Sequence, residues 1–358
     1  MDRLASCRCL KIIALFCLLM SLPVAVPLRS VLAASQPDTF QHQLDQGRAL
    51  LRQGDLKAAE EAARKAIQLN PSSAEAHHLL GQILFKARKP NEAGEALATA
   101  VKLKPAYAEA LNDLAEVYVV QGKSAEAEQA LTRAIEVSPK HAESYLDLAK
   151  LYERRPDPVA AKKTYQNLLA VAPNQPDALF ELAMLYDNQG ETKTARDTLS
   201  RLTKAHPKHA NGWYLTGRIA ERNNDLVEAA YAYKQAIAAK PDLVDAHYNL
   251  GFIYRSQGKL NEAEREFLEV LRYRPEYAEA HMNLGVVYTS VNKLDDAEHA
   301  YERAVALKPD YAEAHYNLGV FYELHRKDMP RALAQYRKYR ELGGRDDRVE
   351  RIVGSTFR

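Results

Sequence analysis

The sequence predicts an all-α chain, a solenoid of about nine stacked helix–turn–helix units forming a superhelix with a concave groove. Three observations carry this. Pro71, Pro105, Pro139, Pro173, Pro207, Pro241, Pro275 and Pro309 follow one another at 34 residues, so eight of the sixteen prolines obey one period. The phrase "AEAHMNLGVVY" at 278–288 has "VDAHYNLGFIY" 34 residues before it and "AEAHYNLGVFY" 34 after it. Gly or Ala stands twenty-four residues before each proline, from Gly47 to Gly285, and Ala stands twelve before it without exception, from Ala59 to Ala297.

Residues 1–33 read as an export signal or an N-terminal membrane anchor. "MDRLASCRCLK" is basic, 12–28 is a seventeen-residue run without charge, and Val31-Leu32-Ala33 gives small or moderate residues at the spacing a signal peptidase reads. The run is at the short limit for a membrane span, and Pro23 and Pro27 interrupt it. Either outcome leaves the body outside the cytoplasm, because the basic flank stays inside. The expected location is periplasmic or secreted after cleavage, the alternative being inner-membrane anchored. All three cysteines (Cys7, Cys9, Cys17) lie in this leader, so a cleaved chain holds no thiol, disulfide or cysteine metal site.

After a short linker at 34–37, residues 38–343 divide into nine blocks of 34. Within the eighth, "EYAEAHMNLGVVYTSV" carries an apolar stripe every three to four residues, "NK" breaks it, and "LDDAEHAYERAVALKP" resumes it with Ala297, Tyr301 and Ala304 on one face. Asp295 with Glu298, Asn261 with Glu264, and Asp310 with Glu313 have the spacing of helix starts. Gly54, Gly122, Gly190, Gly258, Asn224 and Asn292 occupy the inter-helix turn, where a left-handed backbone is expected. The proline then ends the second helix. The two small positions let the helix axes approach, with Tyr254, Phe267, Tyr288 and Tyr301 filling the space beside them. The ninth block carries one extra residue in "ELHRKDMPRALAQY" and realigns at Ala332. Residues 344–358, with Val349, Ile352 and Val353, read as a polar-faced cap.

The 34-residue proline period, the Leu-Gly pair, the Tyr three residues after the Gly and the mid-block Ala together resemble the tetratricopeptide repeat. The resemblance covers about residues 38–343. It implies helix pairs whose first helices line a concave groove and whose second helices lie outside, and a protein that binds other proteins.

Charge excludes one class of partner. Residues 1–33 carry a net +3 and the remainder a net −1, so the body has no footprint for nucleic acid. No phosphate loop, dinucleotide fingerprint, HExxH or GxSxG is present, and the array leaves no room for a catalytic domain, which predicts a non-enzyme without cofactor. His77, His247, His281 and His315 share one slot of the repeat. Equivalent positions in neighbouring repeats stand on the order of 10 Å apart, too far to converge on one zinc ion, so the row is read as packing.

The binding candidates lie on the first helices. Phe180, Tyr214, Tyr248, Met282 and Tyr316 occupy one register that is expected to project into the groove. Asn249, Asn283 and Asn317 follow three of them and form a ladder of amides, each able to donate and accept one hydrogen bond along an extended peptide. The resemblance implies that asparagines at this place contact bound peptides in some members. Arg218, Arg222 and Arg255 are candidates for pairing with a ligand carboxylate. The expected function is a scaffold for envelope, secretion or pilus-type assembly that binds a protein or extended peptide, with residues 208–343 favoured and self-association open. The alternative is a substrate-presenting accessory subunit of a polysaccharide or glycosyl-transfer enzyme.

Overall fold

The computed structural model describes residues 39–355. The leader with its cysteines, the linker 34–37 and residues 356–358 lie outside the described residues. Eighteen helices fall into nine pairs, and a nineteenth follows them. The pairs are α1 Phe40–Gln53 with α2 Leu56–Leu69, α3 Ala74–Lys86 with α4 Pro90–Leu103, and α5 Ala108–Val120 with α6 Ser124–Val137. Then come α7 Ala142–Arg154 with α8 Pro158–Val171, α9 Pro176–Asn188 with α10 Thr192–Ala205, and α11 Ala210–Arg222 with α12 Leu226–Ala239. Last are α13 Val244–Ser256 with α14 Leu260–Tyr273, α15 Ala278–Ser290 with α16 Leu294–Leu307, and α17 Ala312–Phe321 with α18 Met329–Glu341; α19 spans Asp347–Ser355.

Each helix packs on the next, and the more extensive contacts that skip a helix all join first helices: α1 to α3, α3 to α5, α5 to α7, α13 to α15 and α15 to α17. The first helices are therefore crowded on the inside of the curve, and the second helices are spread on the outside. The chain is an all-α solenoid.

The turns sit where the sequence places them. Gly54, Gly122, Gly190, Gly258, Asn224 and Asn292 all have φ between +59° and +83°. Arg88 and Lys327 hold the same left-handed slot in the second and ninth repeats, at φ +59° and +56°. Packing inside a pair is one large residue against one missing side chain. A Cβ on Gly285 would stand 2.6 Å from the Tyr301 ring, and one on Gly319 would stand 2.6 Å from the Tyr336 ring. Fully burying rings of this kind contributes about 1.5–3 kcal/mol each relative to exposure.

A second device closes the joints between repeats. Each repeated proline leaves its carbonyl at the loop, and a side chain of the next repeat donates to it. His77, Tyr145, Trp213, His247, His281 and His315 supply that donor from the fourth position of the first helix, at 2.9 to 3.3 Å. In the third and fifth repeats that position is Leu111 or Leu179. There Arg133 and Arg201, reaching over from α6 and α10, donate to Pro105 and Pro173 at 3.3 and 3.0 Å. A carbonyl left without a donor would keep its desolvation cost, which accounts for the change of donor when the fourth residue turns apolar.

Three expected helix starts are misplaced. α14, α16 and α17 begin after Lys259, Lys293 and Tyr311, with no side-chain cap, so Asn261 and Asp295 lie inside the first turn and Asp310 lies before the cap. Acidic residues in a first turn complement the helix dipole without capping it, and the two roles leave similar sequence patterns. The side-chain caps are Thr39, Asp55, Ser73, Asp157, Gln175, His209, Asp225 and Asp328, with Asp346 accepting from Arg348 and Val349 N–H at the start of α19. The extra residue of the ninth repeat is absorbed by a π-helical turn at Tyr322–Arg326, after which Ala332 and Tyr336 are fully buried. α19 lays Val349 and Val353 on the last pair, both about 1% exposed. Among the described residues, no helix is long and apolar enough to cross a membrane.

Candidate peptide-binding face

Hollows open between successive first helices and show which side chains face inward. One, of about 190 Å³, is lined by Leu51 of α1, Gln82, Phe85 and Lys86 of α3, and Asp113 and Glu116 of α5. Another, of about 300 Å³, lies between α5 and α7, with Asn112, Glu143, Asp147 and Lys150 among its lining. By the 34-residue period the same inward positions carry Arg218, Phe252 and Arg255 further on.

The aromatic row is half-buried rather than free. The Tyr248 ring packs on Phe267 and Tyr277 at 5.9 and 5.3 Å, and Tyr214 packs on Tyr233 at 5.8 Å. Phe180 stands 5.3 Å from His209, and Tyr316 stands 5.2 Å from Tyr339. Each keeps part of its surface open. Met282 does not project into the groove: it is 3% exposed and packs with Ala304 and Ala314.

The amide ladder is turned inward as well. Asn249 donates to the Tyr233 hydroxyl at 3.1 Å. Asn283, 1% exposed, donates to the Tyr248 hydroxyl of the preceding repeat and to its own helix at Glu279 O. Asn317 donates to Glu313 O at 2.9 Å. These amides stitch helices instead of waiting for a ligand. Arg222 is engaged too, in an ion pair with Asp187. Arg218 is exposed, and the Arg255 guanidinium stands 4.9 Å from the exposed Phe252 ring. The histidine row holds proline carbonyls, as described above, and among the described residues no three His, Cys, Asp or Glu side chains could hold a metal ion.

Sequence reasoning missed two features. Tyrosines of the second helices thread past the small residue of the first and bring their hydroxyls to the inner face, Tyr233 donating to Glu221 and Tyr336 to Glu323, each at 2.6 Å. The inner face also changes its charge along the array. The signal was a row at 34-residue spacing: Glu109, Glu143 and Asp177.

Comparison with known proteins follows from this geometry. Tetratricopeptide repeat models match residues 28–74, 44–108, 78–142, 112–176, 146–198, 180–244 and 290–347, and a second such model matches 242–310. The chain is a tetratricopeptide repeat protein. Among solved structures, this tetratricopeptide array is similar to Pseudomonas aeruginosa pilF, with 25% identity and a TM-score of 0.50 over 56% of this chain and 92% of that one. A tetratricopeptide repeat protein from Parabacteroides merdae matches at 19% identity and a TM-score of 0.45, over 70% of this chain and 99% of that one. A thermophilic member from Thermus thermophilus matches at 25% identity and a TM-score of 0.40, over 49% and 95%. No curated protein matches the chain.

Proposed function

We propose that the protein is an exported, non-enzymatic scaffold that holds an extended segment of a partner protein against its inner face, in the service of an envelope, secretion or pilus-type assembly. Membership of the tetratricopeptide repeat family supports protein–protein interaction as the activity. The observation that carries the groove reading is the pair of hollows between successive first helices, in which Lys86, Glu116, Glu143 and Lys150 line the opening beside the hydrogen-bonded pairs Gln82–Asp113 and Asn112–Asp147. Export rests on the leader alone. The alternative, a substrate-presenting accessory subunit of a glycosyl-transfer enzyme, has no support from the asparagine ladder, whose amides are committed to Tyr233, Tyr248 and helix carbonyls.

The test is site-specific photo-crosslinking in native extract, with the probe at Arg218 or Phe252 on the inner face and at Val227 or Tyr231 on the outer helix α12. Both outer residues are exposed, at 81% and 55%. A discrete protein adduct from the inner sites alone is the expected result. Adducts from the outer sites alone, or none from the inner ones, would sink the groove reading.

A further inference from the structure

The first helices of the third to fifth repeats, α5, α7 and α9, carry nine carboxylates against two bases, Lys150 and Arg154. Of their second helices, α8 and α10 are basic, while α6 is itself acidic, with Glu126, Glu128 and Glu136 against Arg133. Charge is thus sorted between the inner and outer faces in the fourth and fifth repeats, whereas both helices of the third are acidic. The acidic excess of the first helices sits on α5 and α9, which carry three acids each and no base; α7 and every other first helix stay within one unit of neutrality.

One acid in each of these three helices also lacks the partner that its equivalents in the second, seventh and eighth repeats have. The second residue of most first helices is acidic, and in the second, seventh and eighth repeats a base that closes the second helix, 29 residues on, pairs with it: Glu75 with Lys104, Asp245 with Arg274, Glu279 with Lys308; in the ninth, Glu313 meets Leu342 at that distance. In the third to fifth repeats the acid remains, as Glu109, Glu143 and Asp177, but the closing residue is Ser138, Ala172 or His206. His206 is engaged with the Asn174 carbonyl at 2.5 Å. Burial pulls Glu279 up, but Lys308 outweighs it and holds the carboxyl below its usual range. Glu116 and Glu181 are instead raised, first by burial and then by the like charges around them, Asp113, Asp147 and Glu143 for the one and Glu153 and Asp177 for the other.

A second, independent observation falls at the same place. Tyr165 is fully buried, and its hydroxyl has no hydrogen-bond partner. Its counterparts Tyr233 and Tyr336 lie over glycines and reach a glutamate, whereas Tyr165 lies over Ala149. Glu153 and Glu181 stand near enough to weigh on its ionisation, Glu153 without the geometry of a bond. The unanswered hydroxyl therefore lies beneath the surface, close to carboxylates of both α7 and α9.

We propose that the inner face of the third to fifth repeats is the docking site for an extended, Lys/Arg-rich segment of a partner protein. This rests on the groove reading above and names the chemistry of its occupant. Among the described residues no cluster could hold a metal ion, so the carboxylates are spread for a polycation rather than converged on one ion. First helices spaced about 10 Å apart meet an extended chain rising about 3.3 Å per residue, so the matching segment carries a base at roughly every third position. Complementary charge of this kind sets partner choice and association rate.

The probe is a labelled Lys-Gly-Ser repeat peptide of about twelve residues, long enough to cross three repeats, with a Glu-Gly-Ser peptide as control, read by fluorescence anisotropy on the full chain. The lysine peptide binds and the glutamate peptide does not. Glu109→Gln/Glu143→Gln/Asp177→Asn weakens binding about tenfold, three exposed charges at the usual worth of surface pairs. Ser138→Lys/Ala172→Lys, which restores the missing bases and keeps every carboxylate, weakens it likewise. Glu95→Gln/Glu126→Gln/Glu136→Gln on the outer helices leaves it unchanged. Circular dichroism of each variant shows the fold kept. Equal loss from the outer variant, no loss from either inner variant, or no binding of the lysine peptide overturns the proposal. If the inner-face cross-links at Arg218 and Phe252 persist in that event, the groove reading stands and only the cationic occupant falls.

Discussion

His247 and His281 each send Nε2–H to a proline carbonyl six residues back, yet their surroundings differ. The second nitrogen of His247 lies 2.7 Å from the Glu266 carboxylate, so both nitrogens face acceptors, an arrangement that favours the charged ring. Burial lowers its pKa, but Glu266 and the Pro241 carbonyl outweigh burial and the net shift is upward. His281 has no carboxylate, and burial takes it below the ordinary value. The signs for stability follow. The His247 contribution is complete below its unfolded value of 6.5 and is lost as pH rises through the raised folded value. The His281 contribution is complete above 6.5 and is lost as pH falls through the lowered folded value. Proton NMR titration of the imidazole C2–H signals should place His247 above 6.5 and His281 below it, and Glu266→Gln should bring His247 down. Coincident titrations would show that Glu266 does not hold the ring.

At the scale of the element, the small position of the first helix and the large position of the second are coupled in most repeats, Gly81 with Leu97 and Ala149 with Tyr165 being exceptions. Tyr301 and Tyr336 lie over glycine, while Ala115 and Ala183 face Leu131 and Leu199 at the same two positions. Gly285→Ala should therefore cost about 1–3 kcal/mol by overpacking. Adding Tyr301→Leu should return part of that loss, because it converts the repeat to the Ala/Leu pairing used elsewhere. Urea denaturation of the single and double variants checks this, and additive losses would refute the coupling. These positions were legible because each obeys one period and one steric rule. The helix starts were not. Asp295 and Glu298 have the spacing of a capping box, but the chain enters α16 at Lys293, two residues earlier. The site was half legible for a related reason. The period put Met282 and Asn283 on a first helix. The Tyr248 hydroxyl that claims Asn283 comes from 35 residues earlier, and no local pattern reveals it. The acidic row stood at plain 34-residue spacing, and it gains meaning only beside the bases absent from positions 138 and 172.

Taken whole, the molecule is a chain of nearest neighbours. No pair of helices separated by more than one intervening helix makes an extensive contact among the described residues, so stability accumulates joint by joint. The joints are not alike. Six proline carbonyls are held by a ring of the helix directly above, and two, at Pro105 and Pro173, by an exposed arginine reaching across from an outer helix. A guanidinium on a long stem follows its acceptor over a range of separations that a ring on a short stem does not. Stretched between its ends in an optical trap, the array should yield first at these two joints, and Leu111→His with Leu179→His should remove the early extension. Yielding that begins elsewhere would contradict this. The two compliant joints bracket the third and fourth repeats, which carry most of the unpaired carboxylates. The array is therefore a spring of uneven stiffness, and its softest coils set the pitch of the charged groove.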